Sequence, residues 1–224
     1  MGKIGIGIIG ARFAADLHAH TYGRLREKID LVAVCSKTRE SAETFARKFK
    51  IPNVYTDHRQ MLERKDIHVI DLCVTTNLHH TMAIDAANAG KNIICEKPLT
   101  GFFGDGKTIS RQVMMEEALK NASSVLKAVR ANRVKFGYAE NFVYAPPVTK
   151  LKNLMKACQG TVLDIRAEES HSGSHAAYSR EWKTSGGGSL LRMGAHPVGA
   201  VLHLKHYEGL MKFGRPIRAK SVIG

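Results

Sequence analysis

Along the first 140 residues, short and nearly continuous apolar runs alternate with stretches whose apolar residues recur at helical spacing. Ile4 to Ile9 is a β-branched run that stops at Gly10, Phe13 to Glu27 reads as a helix, and Leu31-Val32-Ala33-Val34-Cys35 reads as a second strand. A helix over Glu40 to Phe49, a short strand near Val54-Tyr55, a helix about Arg59 to Glu63 and the run Ile67 to Val74 continue the alternation. Leu78 to Ala89 is a further helix closed by Gly90, and Asn92-Ile93-Ile94-Cys95 a buried strand ended by Glu96-Lys97-Pro98. Strands apolar on both faces and separated by helices predict a parallel sheet covered on both sides.

The rhythm breaks between Thr100 and Lys107, where three glycines and Phe102-Phe103 read as a flexible lid or insertion. A long helix follows, about Ser110 to Ala131, with Val113, Ala118, Leu119, Ala122, Val125, Leu126 and Val129 forming a stripe expected to pack on the sheet. Val134 to Ala139 supplies a sixth strand, which closes a first domain over residues 1–141. After Pro146-Pro147 the pattern predicts a helix to Cys158, an alternating strand Val162 to Arg166, a polar loop, a helix from Gly188 to about His206, and a strand beginning in Ile217 to Ile223. Residues 142–224 read as a smaller, partial second domain. The fold class is α/β: a doubly wound parallel sheet followed by part of an open-faced α/β domain.

Composition narrows the partners more than the fold. The chain has 224 residues, 44% hydrophobic and 24% charged, which is ordinary globular composition. No apolar run approaches the roughly 18 residues of a membrane span, and no signal-peptide core precedes the first turn, so a soluble cytoplasmic protein is expected. Cys35, Cys73, Cys95 and Cys158 stand far apart, without disulfide or metal spacing. The formal net charge of +14 attracts phosphates generally. The basic residues are spread and interleaved with acids, as in Arg24-Leu25-Arg26-Glu27-Lys28, which disfavours nucleic acid.

Candidate chemistry gathers where strands end. Gly10-Ala11-Arg12-Phe13-Ala14-Ala15 opens the first helix where a G-x-G-x-x-G/A dinucleotide turn would stand, and the helix amino terminus offers N–H groups to a pyrophosphate. Arg12 replaces the middle glycine; its side chain obstructs the closest approach, yet its guanidinium suits a phosphate. A plain strand–helix turn is the alternative. The second strand ends in Cys35-Ser36-Lys37-Thr38-Arg39, with no carboxylate for a ribose 2′-hydroxyl. Ser36, Lys37 and Arg39 suit a 2′-phosphate instead, so NADP is favoured over NAD unless the loop is merely a solvated basic one.

Ile8-Ile9-Gly10, Val74-Thr75-Thr76-Asn77-Leu78-His79-His80 and Gly90-Lys91-Asn92-Ile93-Ile94-Cys95-Glu96-Lys97-Pro98 resemble the Gfo/Idh/MocA oxidoreductases, with Glu96-Lys97-Pro98 the most specific match. Asn141, Tyr144 and Pro146, then Trp182 and the run Gly186 to His196, follow in the order of that family's motifs. The resemblance implies a Rossmann domain, an open-faced domain that commonly mediates homo-oligomerisation, and a sugar, polyol or sugar acid as substrate. It implies that Lys97 and His196 are catalytic, Lys97 on the reacting hydroxyl and His196 as base. It sets Glu96 near the nicotinamide; Thr75, Asn77 and His80, at the carboxyl end of the fourth strand, are expected to line the cofactor groove, with Gly10, Arg12, Phe13 and Asn141 also along the cofactor. His171, His175, Tyr178 and Arg180 fall in the polar loop as candidate substrate contacts; a zinc site from His171 and His175 lacks further ligands.

At position 192 the family usually has an aspartate, one helical turn before the histidine, and this chain has Arg192. That cation removes an acid but could clamp an acidic substrate. Two functions therefore stand side by side. One is an NAD(P)-dependent oxidoreductase acting on a secondary alcohol or ketone. The other is a nucleotide-binding regulatory or assembly subunit without turnover, as Arg12, Arg192 and the absent carboxyl-terminal strands would leave it.

Overall fold

The computed structural model describes residues 2–174 and 176–223. Two compact units result, residues 1–139 with 176–187, and residues 140–175 with 188–224. The first unit carries the strands β1 (Ile4–Ile9), β2 (Ile29–Cys35), β3 (Asn53–Tyr55), β4 (Val69–Leu72), β5 (Asn92–Glu96) and β6 (Phe136–Ala139). All pair in parallel, in the spatial order β3-β2-β1-β4-β5-β6. This is the doubly wound order, with its switch point between β1 and β4. The expected α/β Rossmann sheet is thus the observed one.

Helices α1 (Phe13–Gly23), α2 (Arg39–Phe49), α3 (His58–Leu62), α4 (Thr76–Asn88) and α5 (Arg111–Ala131) connect the strands. Successive strand residues feed opposite faces, which is why the strands read as unbroken apolar runs. Ile6, Ile8 and Val34 join Ala15, Ala19, Tyr22 and Phe45 of α1 and α2 in one core layer. Ile9, Ala33, Cys35, Ile70 and Leu72 join Met61, Ala83, Ala86, Ala87 and Val125 of α3, α4 and α5 in the other. Caps set helix starts locally: Thr38 accepts the Ser41 N–H ahead of α2, and Ser110 the Val113 N–H ahead of α5.

The loop at 100–107 is irregular as expected, but its beginning does not have the exposure of a lid. Thr100, Gly101 and Phe102 are buried. The segment 176–187 holds it, through a 3-10 helix (Ala177–Arg180) and α7 (Trp182–Ser185). The Phe102 N–H donates to the Gly186 carbonyl at 2.9 Å. A Cβ on Gly101 would lie 2.4 Å from that carbonyl oxygen, so the two backbones meet with no room for a side chain. The stripe of α5 packs on the sheet only near its end, through Val125, Ala128 and Val129. Val113, Leu119 and Leu126 are exposed, against the expectation that the whole stripe would be covered.

The second unit consists of a 3-10 helix (Asn141–Tyr144), α6 (Pro146–Cys158), α8 (Ser189–Arg192) and α9 (Ala195–Phe213). The single helix expected from Gly188 is interrupted at Met193-Gly194 and runs on to Phe213. The strand expected over Val162 to Arg166 is irregular, and so is Ile217 to Ile223. The reason is visible at Val162. Its N–H is taken by Glu208 at 3.2 Å and its carbonyl by Lys205 at 3.1 Å, both side chains of α9, where a strand would need a neighbouring backbone. Among the described residues the second unit contains no strand.

Candidate active site

Because all six strands are parallel, their carboxyl ends share one edge, and several of the sequence candidates follow strands there. Gly10 follows β1, Ser36 and Lys37 follow β2, Thr75 and Asn77 follow β4, and Glu96 and Lys97 stand at and after the end of β5. Gly10 has φ +119°, and a Cβ there would lie 2.2 Å from the Cys73 carbonyl oxygen, so this turn admits only glycine. Arg12 is the residue before α1 and caps it with no side-chain hydrogen bond, which leaves first-turn N–H groups to an anion. Arg12 and Phe13 are exposed. Lys37 is exposed, Arg39 pairs with Glu43 at 3.2 Å, and the Ser36 hydroxyl bonds that of Ser41. The Thr75 hydroxyl donates to Asn77 at 2.7 Å.

Beneath this edge lies an ionic cluster that sequence reading passed over. His18 of α1 stands between two carboxylates, Nδ1 2.8 Å from Asp71 Oδ2 and Nε2 3.1 Å from Glu96 Oε1. Tyr22 donates its hydroxyl to the same Asp71 oxygen at 2.8 Å, and the Lys97 N–H donates to Glu96 Oε2 at 2.9 Å. The dinucleotide helix is thereby tied through two side chains to the backbone of Lys97. Burial works against a charge on His18, but hydrogen bonds with Asp71, Cys73 and Glu96 outweigh it and push its pKa up to about 12. Burial likewise opposes ionisation of Glu96, and His18 outweighs that, holding its carboxyl below the usual range. Burial pushes the Cys73 thiol up to about 12. His18, Asp71 and Cys73 converge as a metal site would, yet their polar atoms are already bonded to one another. The signal was Asp71, a carboxylate inside an apolar strand, which requires a partner.

Replacing His18 with glutamine is expected to lower unfolding free energy by roughly 2–3 kcal/mol, because Asp71 and Glu96 lose the cation between them. A raised histidine pKa contributes stability that is complete below about pH 6.5 and declines as pH rises toward about 12. Denaturant midpoints should therefore fall for the native protein between about pH 7 and pH 10, and fall less for His18→Gln.

His79 and His80 divide their tasks. His79 is buried in α4 with Nδ1 2.8 Å from the Pro98 carbonyl oxygen and Nε2 3.1 Å from that of Val74, so it braces the Glu96-Lys97-Pro98 segment. Burial pushes its pKa down. His80 stacks on Phe103 at 6.2 Å, and its Nδ1 is buried with no partner among the described residues.

In the second unit His196 is buried near the start of α9, its Nδ1 2.7 Å from Glu140 Oε1. Glu140 is a second residue that sequence reading missed. Arg192 belongs to α8, a turn of two residues before α9, so it and His196 do not share one continuous helix as the spacing suggested. Asn141 opens the 3-10 helix and is exposed. The polar loop candidates separate: His171, exposed, lies in the second unit and faces Glu169 at 3.5 Å, whereas Tyr178 and Arg180 belong to the first. His175 lies outside the described residues.

Residues 4–125 match the oxidoreductase family with an NAD-binding Rossmann fold known as Gfo/Idh/MocA. The chain belongs to this family. Levoglucosan dehydrogenase of Pseudarthrobacter phenanthrenivorans is 32% identical over 132 residues, 56% of this chain and 32% of that protein. Inositol 2-dehydrogenase of Salmonella typhimurium is 26% identical over 140 residues, 62% of this chain and 39% of that protein. A crystal structure of an oxidoreductase domain protein from Kribbella flavida superposes with TM-score 0.75 at 26% identity, covering 91% of this chain and 54% of the other. The structure of GenD2 from gentamicin A biosynthesis, in complex with NAD, shares the fold at TM-score 0.78 and 23% identity, with the same coverage. The chain thus spans about a third to a half of these Gfo/Idh/MocA relatives' lengths. Among the described residues no helix is long and apolar enough to cross a membrane.

Proposed function

We propose that the protein is an oxidoreductase that moves a hydride between a nicotinamide dinucleotide and a secondary alcohol, or the matching ketone, of a sugar, polyol or related compound. The observation that carries this reading is the position of Lys97. It follows β5 at the carboxyl edge of the sheet, two strands from the Gly10 turn that opens the β1/β4 switch point, and such crevices are where dinucleotides bind. The residues present fit that group: an uncapped amino terminus of α1 for the pyrophosphate, and hydroxyl and amide groups of Thr75 and Asn77 along the same edge.

The dinucleotide, when bound, accepts or supplies the hydride at its nicotinamide. Lys97 holds the carbinol oxygen and stabilises the negative charge that develops on it. His196 takes the hydroxyl proton. Glu96, engaged by His18, fixes the backbone from which Lys97 projects. The names of the levoglucosan and inositol dehydrogenases support a polyhydroxylated substrate.

NADP is the favoured coenzyme, since β2 ends without a carboxylate and with Lys37 exposed. Substituting Lys37 and Arg39 with alanine is expected to weaken NADPH about tenfold or more and NADH less than about twofold in a fluorescence titration. Equal losses would reverse the preference. The function itself is tested by following reduced-coenzyme absorbance across a panel of polyols, sugars and sugar acids. Coenzyme binding with no turnover on any of them would leave the regulatory reading in its place.

A further inference from the structure

Arg192 stands where Gfo/Idh/MocA resemblance implies an aspartate, yet His196 has a carboxylate partner from 56 positions upstream. Glu140 and His196 are both buried, with Nδ1 and Oε1 2.7 Å apart. The same Oε1 accepts the Phe142 N–H at 3.1 Å, and the Phe142 ring stacks on the imidazole with centroids 4.1 Å apart. Gly199 lies one turn beyond His196 on α9, and a Cβ there would come within 2.9 Å of Glu140 Cγ. Glycine at that point leaves room for the carboxylate against the helix. The second oxygen, Oε2, is buried with no hydrogen-bond partner among the described residues.

We infer that Glu140 is the positioning carboxylate of His196, replacing the missing aspartate from a different segment of the chain. A carboxylate only accepts, so the imidazole hydrogen sits on Nδ1 and the Nε2 lone pair is left for the substrate. In the oxidation direction the substrate O–H bond breaks and its proton goes to Nε2. A bound oxidised nicotinamide would take up the hydride, with both electrons of the breaking C–H bond, as the carbonyl forms. Glu140 then faces the imidazolium it helped to create. The chemistry of this inference rests on the hydride-transfer reading above; its geometry does not.

The test begins on the native protein without coenzyme, by nitrogen-15 NMR of His196. The Nδ1–H tautomer is expected, and an Nε2–H tautomer overturns the inference whatever the enzyme's activity. Glu140→Gln is expected to lose the fixed tautomer and to lower kcat about 100-fold with KM within about threefold, and Glu140→Asp to recover about tenfold of that loss. An unchanged kcat, or a change in KM alone, overturns the inference. Should Glu140→Gln fail to fold, Gly199→Ala displaces the carboxylate while keeping it, and the same loss of the Nδ1–H signature is expected; its persistence counts against the assignment. Absence of turnover in the native protein would remove the hydride-transfer reading, with the tautomer still deciding the pairing.

Discussion

Replacing Lys97 with alanine is expected to slow turnover about 10³-fold while leaving NADPH and NADH dissociation constants within about twofold of native. The two halves of this expectation come from different atoms. The backbone N–H of residue 97 donates to Glu96 Oε2, and that bond with the His18 network survives loss of the side chain. The backbone at Lys97 therefore keeps its place. What disappears is the ammonium, which in the proposed reaction meets negative charge that exists on the carbinol oxygen only as the hydride departs. About 10³ in rate corresponds to about 4 kcal/mol, the size expected for one donor in a water-poor site. Stopped-flow absorbance and fluorescence titration measure the halves separately, and unchanged turnover would remove Lys97 from the chemistry.

Gly10→Ala should be more damaging still, and through the fold. The backbone there has φ +119°, strained for any residue with a side chain, and the added Cβ would press to 2.2 Å on the Cys73 carbonyl oxygen, a backbone atom of the neighbouring strand end. That oxygen cannot step aside without disturbing β4, whose pairing with β1 ends in the Cys73 N–H bond to the Ile9 carbonyl. The expected loss is about 4–5 kcal/mol, at the upper end for single substitutions, with coenzyme binding abolished in whatever folded protein is recovered. Chemical denaturation and the same titration check it; a near-native midpoint would show that the switch point can relax.

The six-stranded sheet was legible because β1, β2, β4 and β5 are largely apolar runs and each is followed by a stretch with helical spacing. Val162 to Arg166 misled for a physical reason: alternation describes a segment able to pair, and pairing needs a second backbone, whereas here the α9 side chains of Lys205 and Glu208 claim the carbonyl and N–H of Val162. Leu163 in consequence is 93% exposed. At the candidate site, Gly10 and Lys97 stand in recognisable runs of neighbouring residues, and the sequence singles them out. It does not single out His18 and Glu140, since the partners that give them a role stand 53 and 56 positions away. Asp71 alone advertised such a partner, being charged in the middle of a buried strand.

The segment 176–187 also sets an order of assembly. It is the last stretch to join the first unit, and the Phe102 backbone bonds to it through Gly186. During synthesis the sheet is complete roughly 50 residues earlier, which at ribosomal rates is about 2–10 seconds. Through that interval the loop after Lys97 lacks the backbone that fastens it, so the edge that carries Lys97 is completed only after the last strand of the sheet has been made.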